Sequence, residues 1–266
     1  PTHLWRHVLT FYGYKDHTLA GRSCQYLHAL WTEAVEQGKL PLFVPVDCNT
    51  LQEAVDWVHE DDCLTTIVVG KGKHPIDDDY LEIPSTMNIV GDPGVPKHDL
   101  VVVGGIRFER GIQGNCHLQH LTLRRAKYSG VSGQSSFTMD DVLVEQCGQY
   151  GVFANCTGTV SRCTNVEVRQ CRSSGVYAHN GASITLIGAK TKVHHNCTRE
   201  ESWNYGLQVN GSDSTIQLVS PLTKEHASID NGGGCNWGAS GGADLNQIKT
   251  SAAVILDAGE SKIAHQ

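Results

Sequence analysis

The sequence predicts an all-β solenoid, specifically a right-handed parallel β-helix of about seven coils. Four similar segments carry an apolar residue at spacings of 21, 24 and 25 residues, at Leu123, Val144, Val168 and Val193. In the first three segments a glycine follows seven residues after this apolar residue. Such periods are typical of solenoids, because each unit buries its apolar side chains only against neighbouring units.

Short apolar runs rich in Val, Ile and Thr indicate strands in the chain from residue 65 onward. Runs outside the four segments occupy residues 66–69, 87–90, 100–103, 183–187 and 215–219. The spacers between them are too short for helices, and the Leu-rich frame of a leucine-rich repeat is missing. At roughly 24 residues per coil, about seven coils fit, and they form a rod about 34 Å long.

Helices are predicted ahead of the strands. Residues 1–40 are expected to form a helical segment, because Leu, Trp and Val recur there at spacings of three, four and seven or eight. Thr50 has the residue type of an N-cap and Glu53 stands at the capping-box position, so a capping helix is expected at about residues 50–59. The β-helix is then expected over residues 41–238, and residues 239–266 as a C-terminal cap or a partly disordered tail.

The overall charge restricts the partners. The 266 residues have a formal net charge of -7, which argues against nucleic acid and against an anionic membrane surface. No apolar run reaches the length of about 18 residues that a membrane-spanning helix needs. A protein partner or a polysaccharide ligand is therefore expected, and nucleic acid and membranes are not.

The ten cysteines raise the question of disulfides. Cys147 and Cys171 stand at the same place in adjacent repeats, where the first repeat has Ala126. A position that accepts Ala or Cys indicates a small buried slot, so reduced thiols and a cytoplasmic or nuclear location are expected. Secretion is the alternative, because three glycosylation sequons are present. They lie at Asn155, Asn196 and Asn210.

The first strand of each repeat predicts a file of charges on the outer surface. Neighbouring strand residues point to opposite faces, so the residue after each buried anchor points outward. These outward residues are Arg124, Glu145, Arg169 and His194. Stacked coils place the alternating charges about 5 Å apart, which favours a solvated ladder of ion pairs over catalysis.

The second strand of each repeat predicts a surface for an extended ligand. Its outward residues are Ser132, Phe153, Tyr177 and Gln208, and two positions further along lie Gln134, Asn155, His179 and Asn210. Rings supply flat apolar area and amides supply paired donors and acceptors, which suits a sugar chain or a peptide. The predicted ligand-binding residues are Phe153, Tyr177, His179, Gln208, Asn155 and Asn210. An ordinary outer β surface with stacked rings is the alternative.

Candidate catalytic and metal-binding groups are few. The side chains of Asp140–Asp141 can share one face only if the pair lies in a turn. Asp77–Asp79 lies between prolines and resembles a solvated loop more than a calcium site. His194–His195 and Cys197 lack the spacing of a zinc site. We therefore predict no catalytic residue, no metal ligand and no cofactor.

Part of the chain resembles a known superfamily of β-helices. Residues 51–58, followed by 66–74 and 88–92, are similar to the opening coil of the pectate-lyase-like superfamily, in which a capping helix leads into a strand and a glycine-containing turn. The recurring Gly-Val-x-Ala is similar to the carbohydrate-binding and sugar-hydrolase repeats of that superfamily. The resemblance covers residues 51–237 and implies the fold far more strongly than an activity.

The residues before this region resemble the latter part of an F-box. The similarity rests on Leu4-Trp5, Val8-Leu9, Tyr14-Lys-Asp16, Leu19-Ala20 and the run from Cys24 to Trp31. F-box proteins with a β-helix are substrate receptors of cullin-RING ubiquitin ligases in eukaryotes. The resemblance implies that a Skp-type adaptor is contacted by Leu4, Leu9, Leu19, Leu27, Leu30 and Trp31. The β-helix would then hold the substrate.

Three functions are consistent with the sequence. The leading interpretation is a noncatalytic recognition or scaffold protein, with an F-box-type head, that recruits substrates to a ubiquitin ligase. The second is a polysaccharide-active lyase, hydrolase or epimerase, which an outer cluster of carboxylates with a basic residue would support. The third is a structural rod that associates with itself through its ends or edges, which an uncovered terminal coil would support.

Overall fold

The computed structural model describes residues 41–61 and 64–252 of the chain. These residues form a right-handed parallel β-helix, as the repeats predict. Strands β2 to β22 make seven coils of three strands, which is about six complete turns from the first coil to the last. The predicted helical segment at residues 1–40 and the stretch 253–266 of the predicted tail lie outside the described residues.

Three parallel sheets form the sides of the β-helix, and every third strand along the chain from β2 onward joins the same sheet. Sheet 1 contains β1 (Leu42–Val44), β2 (Thr66–Val69), β5 (Asn88–Gly91), β8 (Cys116–Gln119), β11 (Phe137–Asp140), β14 (Val160–Thr164), β17 (Ser183–Ile187), β20 (Thr215–Val219) and β23 (Ile248–Ser251). Sheet 2 contains β3 (Gly72–Pro75), β6 (Leu100–Val103), β9 (Thr122–Arg124), β12 (Leu143–Glu145), β15 (Glu167–Arg169), β18 (Lys192–His194) and β21 (Ser228–Ile229). Sheet 3 contains β4 (Leu81–Ile83), β7 (Ile106–Phe108), β10 (Val131–Gly133), β13 (Val152–Asn155), β16 (Val176–His179), β19 (Tyr205–Asn210) and β22 (Cys235–Ser240).

The described helices are short and peripheral. They are α1 (Leu51–Glu60), α2 (Lys224–Ala227) and two 3-10 turns at Lys97–Asp99 and Leu245–Gln247. Helix α1 begins as predicted, because the Thr50 hydroxyl accepts a hydrogen bond from the Glu53 N–H at 3.1 Å. The Glu53 carboxylate accepts from the backbone N–H of Asn49 at 2.9 Å. The apolar side of α1 is buried, so the helix covers the first coil.

The core consists of files of apolar side chains inside the three sheets. Val144 pairs with Leu123 on one side and with Val168 on the other, and Val168 pairs with Val193. All four side chains are fully buried. The predicted inward file is therefore confirmed, and each coil covers the apolar surface of the coil before it.

Single residues with positive φ form the corners between sheets. Directly after the sheet 2 strands φ lies between 51° and 58° at Arg125, Gln146, Gln170, His195 and Asp230. The N–H of such a corner residue bonds to the next coil, as Gln146 does to the Arg169 carbonyl at 3.1 Å. The left-handed conformation costs about 1–2 kcal/mol for a residue with a side chain, and the hydrogen bonds between coils offset that cost.

The strands continue past residue 238, where the sequence places the end of the β-helix. Strand β22 extends to Ser240, and β23 adds a ninth strand to sheet 1 by pairing Ile248 with Ile216. Ile248 is almost completely buried. Residues 248–251 therefore belong to the β-helix.

The glycine of each repeat explains how closely the coils stack. Gly151 directly precedes β13, and its backbone lies against the next coil. A Cβ atom at this position would lie 2.2 Å from Cγ1 of Val168 and 2.6 Å from the carbonyl oxygen of Gly175. Gly130, Gly175 and Gly206 are equally crowded by the following coil. Glycine is therefore required by close approach and not by backbone conformation.

Replacing Gly151 with Ala should lower the free energy of unfolding by about 1–3 kcal/mol, because the added methyl group overpacks the contact with Val168. Chemical denaturation measures the effect. Gly94→Ala is the matched control, since its Cβ would meet only the flexible Asp92 side chain at 3.2 Å. Combining Gly151→Ala with Val168→Ala should cost less than the sum of the single changes. Equal effects of Gly151→Ala and Gly94→Ala would contradict the steric explanation.

Candidate functional site

The outer surface of sheet 3 carries two adjacent files of side chains, which we call the sheet-3 face. The strand register aligns the first file in the order Glu82, Arg107, Ser132, Phe153, Tyr177 and Gln208. The second file contains Asn155, His179 and Asn210 in register, and Glu109 and Gln134 precede them just beyond the ends of their strands. All six residues predicted from the sequence as ligand-binding residues therefore lie in these two files.

Four rings form a cluster near the middle of the sheet-3 face. The Phe153 and Tyr177 rings stack with centroids 5.3 Å apart and planes 26° apart. His179 lies 5.4 Å from Tyr177. Tyr150, which the sequence analysis did not select, lies 4.8 Å from Tyr177 and 5.3 Å from Phe153. Its place directly before a repeat glycine is shared by Tyr205, and that pattern could have identified it.

The members of the ring cluster differ in accessibility. Tyr177 is only 8% exposed, whereas Phe153 and His179 are half-buried. Burial, together with the nearby Tyr150, raises the pKa of the Tyr177 hydroxyl to about 12, so this group stays protonated at neutral pH. Tyr150, Phe153 and His179 therefore supply the accessible ring surface, and the buried Tyr177 contacts all three.

Gln208 is held by the protein itself and not presented to a ligand. Its side chain is only 5% exposed. Its carbonyl oxygen accepts a hydrogen bond from the Ser174 hydroxyl, and its amide nitrogen donates to the Trp203 carbonyl at 3.1 Å and to the Ser240 hydroxyl at 3.3 Å. Because its amide is already hydrogen-bonded within the protein, Gln208 fixes the loop that carries Trp203 and does not offer the free amide that was predicted for ligand contact.

Trp203 is an exposed aromatic residue whose backbone carbonyl is tied to the sheet-3 face by Gln208. It lies in the insertion between β18 and β19, and 63% of it is exposed. Half-buried amides accompany it on the second file, where Asn155 accepts from Asn180 at 3.1 Å and Asn210 donates to Ser240 at 2.9 Å. Rings beside oriented amides can bind either sugar units or peptide groups.

The end of the sheet-3 face that the first two coils form carries charged side chains. Arg107 donates to Glu82 at 2.8 Å, and its guanidinium carbon lies 3.9 Å above the centre of the Tyr80 ring. Burial raises the pKa of Glu82; Arg107 opposes this rise and the charge of Glu109 adds to it. These groups were not selected from the sequence because their coils precede the recognisable repeats.

A cavity of about 620 Å³ opens beside this charged end. It is lined by Gln52, Asp77, Asp78, Asp79, Tyr80, Glu82 and Arg107. The three aspartates are exposed, as expected for a solvated loop, and Asp79 pairs with Lys127 at 2.6 Å. In the described part of the chain no group of three His, Cys, Asp or Glu side chains is arranged to hold a metal ion.

The predicted charge ladder on sheet 2 is present, but its centre is buried. Glu145 is only 3% exposed and lies between the two arginines of the neighbouring coils. Its carboxylate pairs with Arg124 and, at 2.8 Å, with Arg169. Burial opposes ionisation of Glu145, but the hydrogen bonds and charges of Arg169 and Arg124 outweigh it and hold the pKa below its ordinary value. The ladder is a structural network.

In two pairs of neighbouring residues, His194–His195 and Asp140–Asp141, the second residue leaves the strand, so the side chains do not alternate between the two faces of a sheet. His195 occupies a corner with φ of 54°, so its ring turns back and its Nδ1 lies 2.7 Å from Nδ1 of His194. Asp141 occupies another corner with φ of 52°, as the turn condition for this pair requires. Its carboxylate binds Lys97 and His120, each at 2.7 Å, which keeps it ion-paired.

The cysteines of the described residues are all unpaired, and most are buried. Cys147 and Cys171 are fully buried in the slot that the repeats predict. The hydrogen bond from Cys147 and burial raise the pKa of the Cys171 thiol well above its ordinary value. Burial raises the pKa of Cys163 to about 12. The thiols of Cys171 and Cys163 are therefore protonated at neutral pH and act as packing groups.

The chain matches no protein-family model, no curated protein and no solved structure with which it was compared. None of the helices in the described ranges is long and apolar enough to span a lipid bilayer. The sheet-3 face is therefore the candidate site on chemical grounds, because it combines accessible rings, amides and a charged cavity on one surface.

Replacing Glu145 with Gln should lower the free energy of unfolding at neutral pH by about 1–3 kcal/mol, because two arginines lose their counter-charge. Folding lowers the pKa of this carboxyl group, so its stabilisation is complete above the ordinary pKa of about 4.3 and is lost as the pH falls through the lowered value.

Chemical denaturation from about pH 7 to about pH 3 should therefore show the difference between wild type and Glu145→Gln shrinking on acidification. Glu60→Gln, at an exposed position, is the control and should leave stability nearly unchanged. A difference that stays constant across this range would show that the lost charge is not its cause.

Proposed function

We propose that this chain is a noncatalytic recognition protein, in which the sheet-3 face binds an extended ligand. The observation that carries the proposal is the ring cluster, in which Phe153 and Tyr177 of the first file contact His179 of the second, next to the amides of Asn155 and Asn210. Stacked coils repeat this chemistry about every 4.8 Å, which suits a ligand that runs along the rod.

Recognition accounts for the main ionisable groups better than catalysis does. Glu145 is locked between Arg124 and Arg169, and Asp141 is locked between Lys97 and His120. Carboxylates held in this way are kept ionised and have no proton to exchange near neutral pH. Their contribution is to the rigidity of the surface that a ligand would meet.

The proposal includes a coupling role for the first 40 residues. Their resemblance to an F-box supports a substrate receptor of a cullin-RING ubiquitin ligase in a eukaryotic cell, with a Skp-type adaptor bound before the β-helix begins. A cytoplasmic or nuclear location accompanies this role, and the unpaired cysteines of the described residues support it. The resemblance of residues 51–237 to pectate-lyase-like proteins supports a β-helical architecture for the part of the receptor that would hold the substrate.

A polysaccharide-active enzyme is the second candidate, and one observation favours it. Glu82 and the carboxylates of Asp77–Asp79 surround the same cavity as Arg107, which is the combination that polysaccharide lyases, hydrolases and epimerases use. The raised pKa of Glu82 would suit a general acid. Unsaturated products or new reducing ends from pectin or alginate, lost on Glu82→Gln, would establish this function in place of recognition.

The recognition proposal predicts that Phe153→Ala weakens ligand binding by at least about fivefold, because truncating an aromatic side chain at a contact costs roughly 1 kcal/mol or more. The measurement is binding of the chain to an array of extended peptides and oligosaccharides. Val160→Ala is the control, since this residue is also exposed and apolar but lies on sheet 1. If both variants retain the binding of wild type, the sheet-3 face is not the binding surface.

The adaptor proposal predicts co-elution of the chain with a Skp-type protein in size-exclusion chromatography. Leu27→Asp should abolish co-elution, because a charge would enter the apolar contact. Phe153→Ala should leave co-elution intact, since it alters only the sheet-3 face. Failure of the wild-type chain to co-elute would reject the F-box role and leave the binding face to be judged separately.

A further inference from the structure

We propose that the sheet-3 face binds an extended peptide that carries basic side chains toward the first two coils, at Glu82 and Arg107, and an apolar or aromatic side chain toward the fourth and fifth coils, at Phe153 and Tyr177. This inference rests on the recognition function proposed above and adds the chemical class of the partner. It is drawn from the charges around the cavity, the state of Arg107 and the spacing between the two ends of the face.

The charge around the cavity is strongly negative. Asp77, Asp78, Asp79 and Glu82 line it, and Glu109 is close enough to influence Glu82. The cations that pair with these carboxylates are Arg107, with Glu82, and Lys127, with Asp79. Among the residues that line the cavity there are four carboxylates and one cation, so its wall has an excess of negative charge. A partner with positive charges is attracted to this end of the face, and a polyanion is repelled.

Arg107 is not free to reverse this preference. Its terminal nitrogen binds Glu82 at 2.8 Å, and its planar group lies 3.9 Å above the centre of the Tyr80 ring. The Tyr80 ring stacks in turn on Tyr128, with centroids 6.1 Å apart. The Tyr80 hydroxyl accepts from the Ser129 N–H at 3.0 Å, which fixes the ring. The guanidinium is thus part of the wall of the cavity, and its charge is already neutralised by Glu82.

The spacing along the first file sets the spacing within the partner. Glu82 lies three coils from Phe153 and four coils from Tyr177 in the strand register. At about 4.8 Å per coil these separations are about 14 Å and 19 Å. An extended peptide covers about 3.3 Å per residue, so basic and apolar residues about four to six positions apart would reach both ends.

A peptide fits this asymmetry better than a cationic polysaccharide does. The face is negative at one end, but its ring cluster presents Phe153 and His179 beside the amides of Asn155 and Asn210. A polysaccharide with an amine on every unit would present the same charge to the uncharged ring cluster as to the negative cavity, so its charges would match only one end of the face. A peptide can instead place different side chains at the two ends of the face.

The test uses the full 266-residue chain and four fluorescein-labelled probes. The first is a synthetic peptide of about 12 residues that contains three Lys and, after a spacer of four residues, Tyr and Trp. Its remaining residues are Gly and Ser, and it is made in both sequence directions. The second has Glu in place of Lys. The third and fourth are an oligogalacturonate and a chitosan oligomer of similar length. Fluorescence polarisation gives a dissociation constant for each probe, and for the Lys peptide one in each direction.

The Lys peptide, in one of its two directions, should bind at least about tenfold more tightly than the Glu peptide at about 50 mM NaCl, and the preference should shrink at about 300 mM. The double change Asp77→Asn and Asp78→Asn should weaken the Lys peptide about three- to tenfold. Asp213→Asn with Glu225→Gln is the matched control, because it removes two exposed carboxylates elsewhere and should have no effect.

Each alternative result is informative. Equal binding of the Lys and Glu peptides, with both weakened by Phe153→Ala, would overturn the basic partner and retain recognition by the face. Tighter binding of oligogalacturonate or of the chitosan oligomer would overturn the peptide partner. The absence of binding by all four probes at about 1 mM would also overturn the inference. The array of peptides and oligosaccharides described for the recognition proposal tests that function independently.

Discussion

The close stacking of one coil on the next is the constraint on which the rest of this structure depends. Gly151 allows the backbone of one coil to meet the Val168 side chain of the following coil, and the same contact recurs at the other repeat glycines. Because each coil must fit its neighbour at this distance, equivalent residues of successive coils align in files. The core, the corners and both outer faces are consequences of that alignment.

The same alignment gives the surface its chemistry. Residues more than 20 positions apart in the chain, such as Phe153 and Tyr177, become stacked neighbours, and Arg124 comes to lie against Glu145. A substitution at one coil therefore changes one step of a file and leaves the other steps in place. This gives a β-helix a means of varying its recognition surface without rebuilding its core.

The sequence was sufficient to predict the fold, the capping helix at Thr50 and the files that contain Phe153 and His179, because these depend only on period and alternation. It did not predict which members of a file are covered. Tyr177 and Gln208 are buried by neighbouring rings and by the insertion that carries Trp203, which breaks the repeat. The corner at His195 was also missed, because a single left-handed residue ends the alternation without a glycine to mark it.

The outer faces of the three sheets differ in how fully their polar and charged side chains are already hydrogen-bonded or ion-paired within the protein. This difference distinguishes sheet 3. On sheet 2, Glu145 and Glu167 already pair with arginines of the ladder, so a ligand would have to break ion pairs to bind there. On sheet 1, short side chains bond across coils, as His117 does to Thr138 at 2.7 Å. On sheet 3, ring surface stays accessible beside a cavity with an excess of negative charge. A ligand on sheet 3 would remove apolar area from water and break fewer existing bonds than on the other two faces, and the charge at one end would favour one orientation of the ligand.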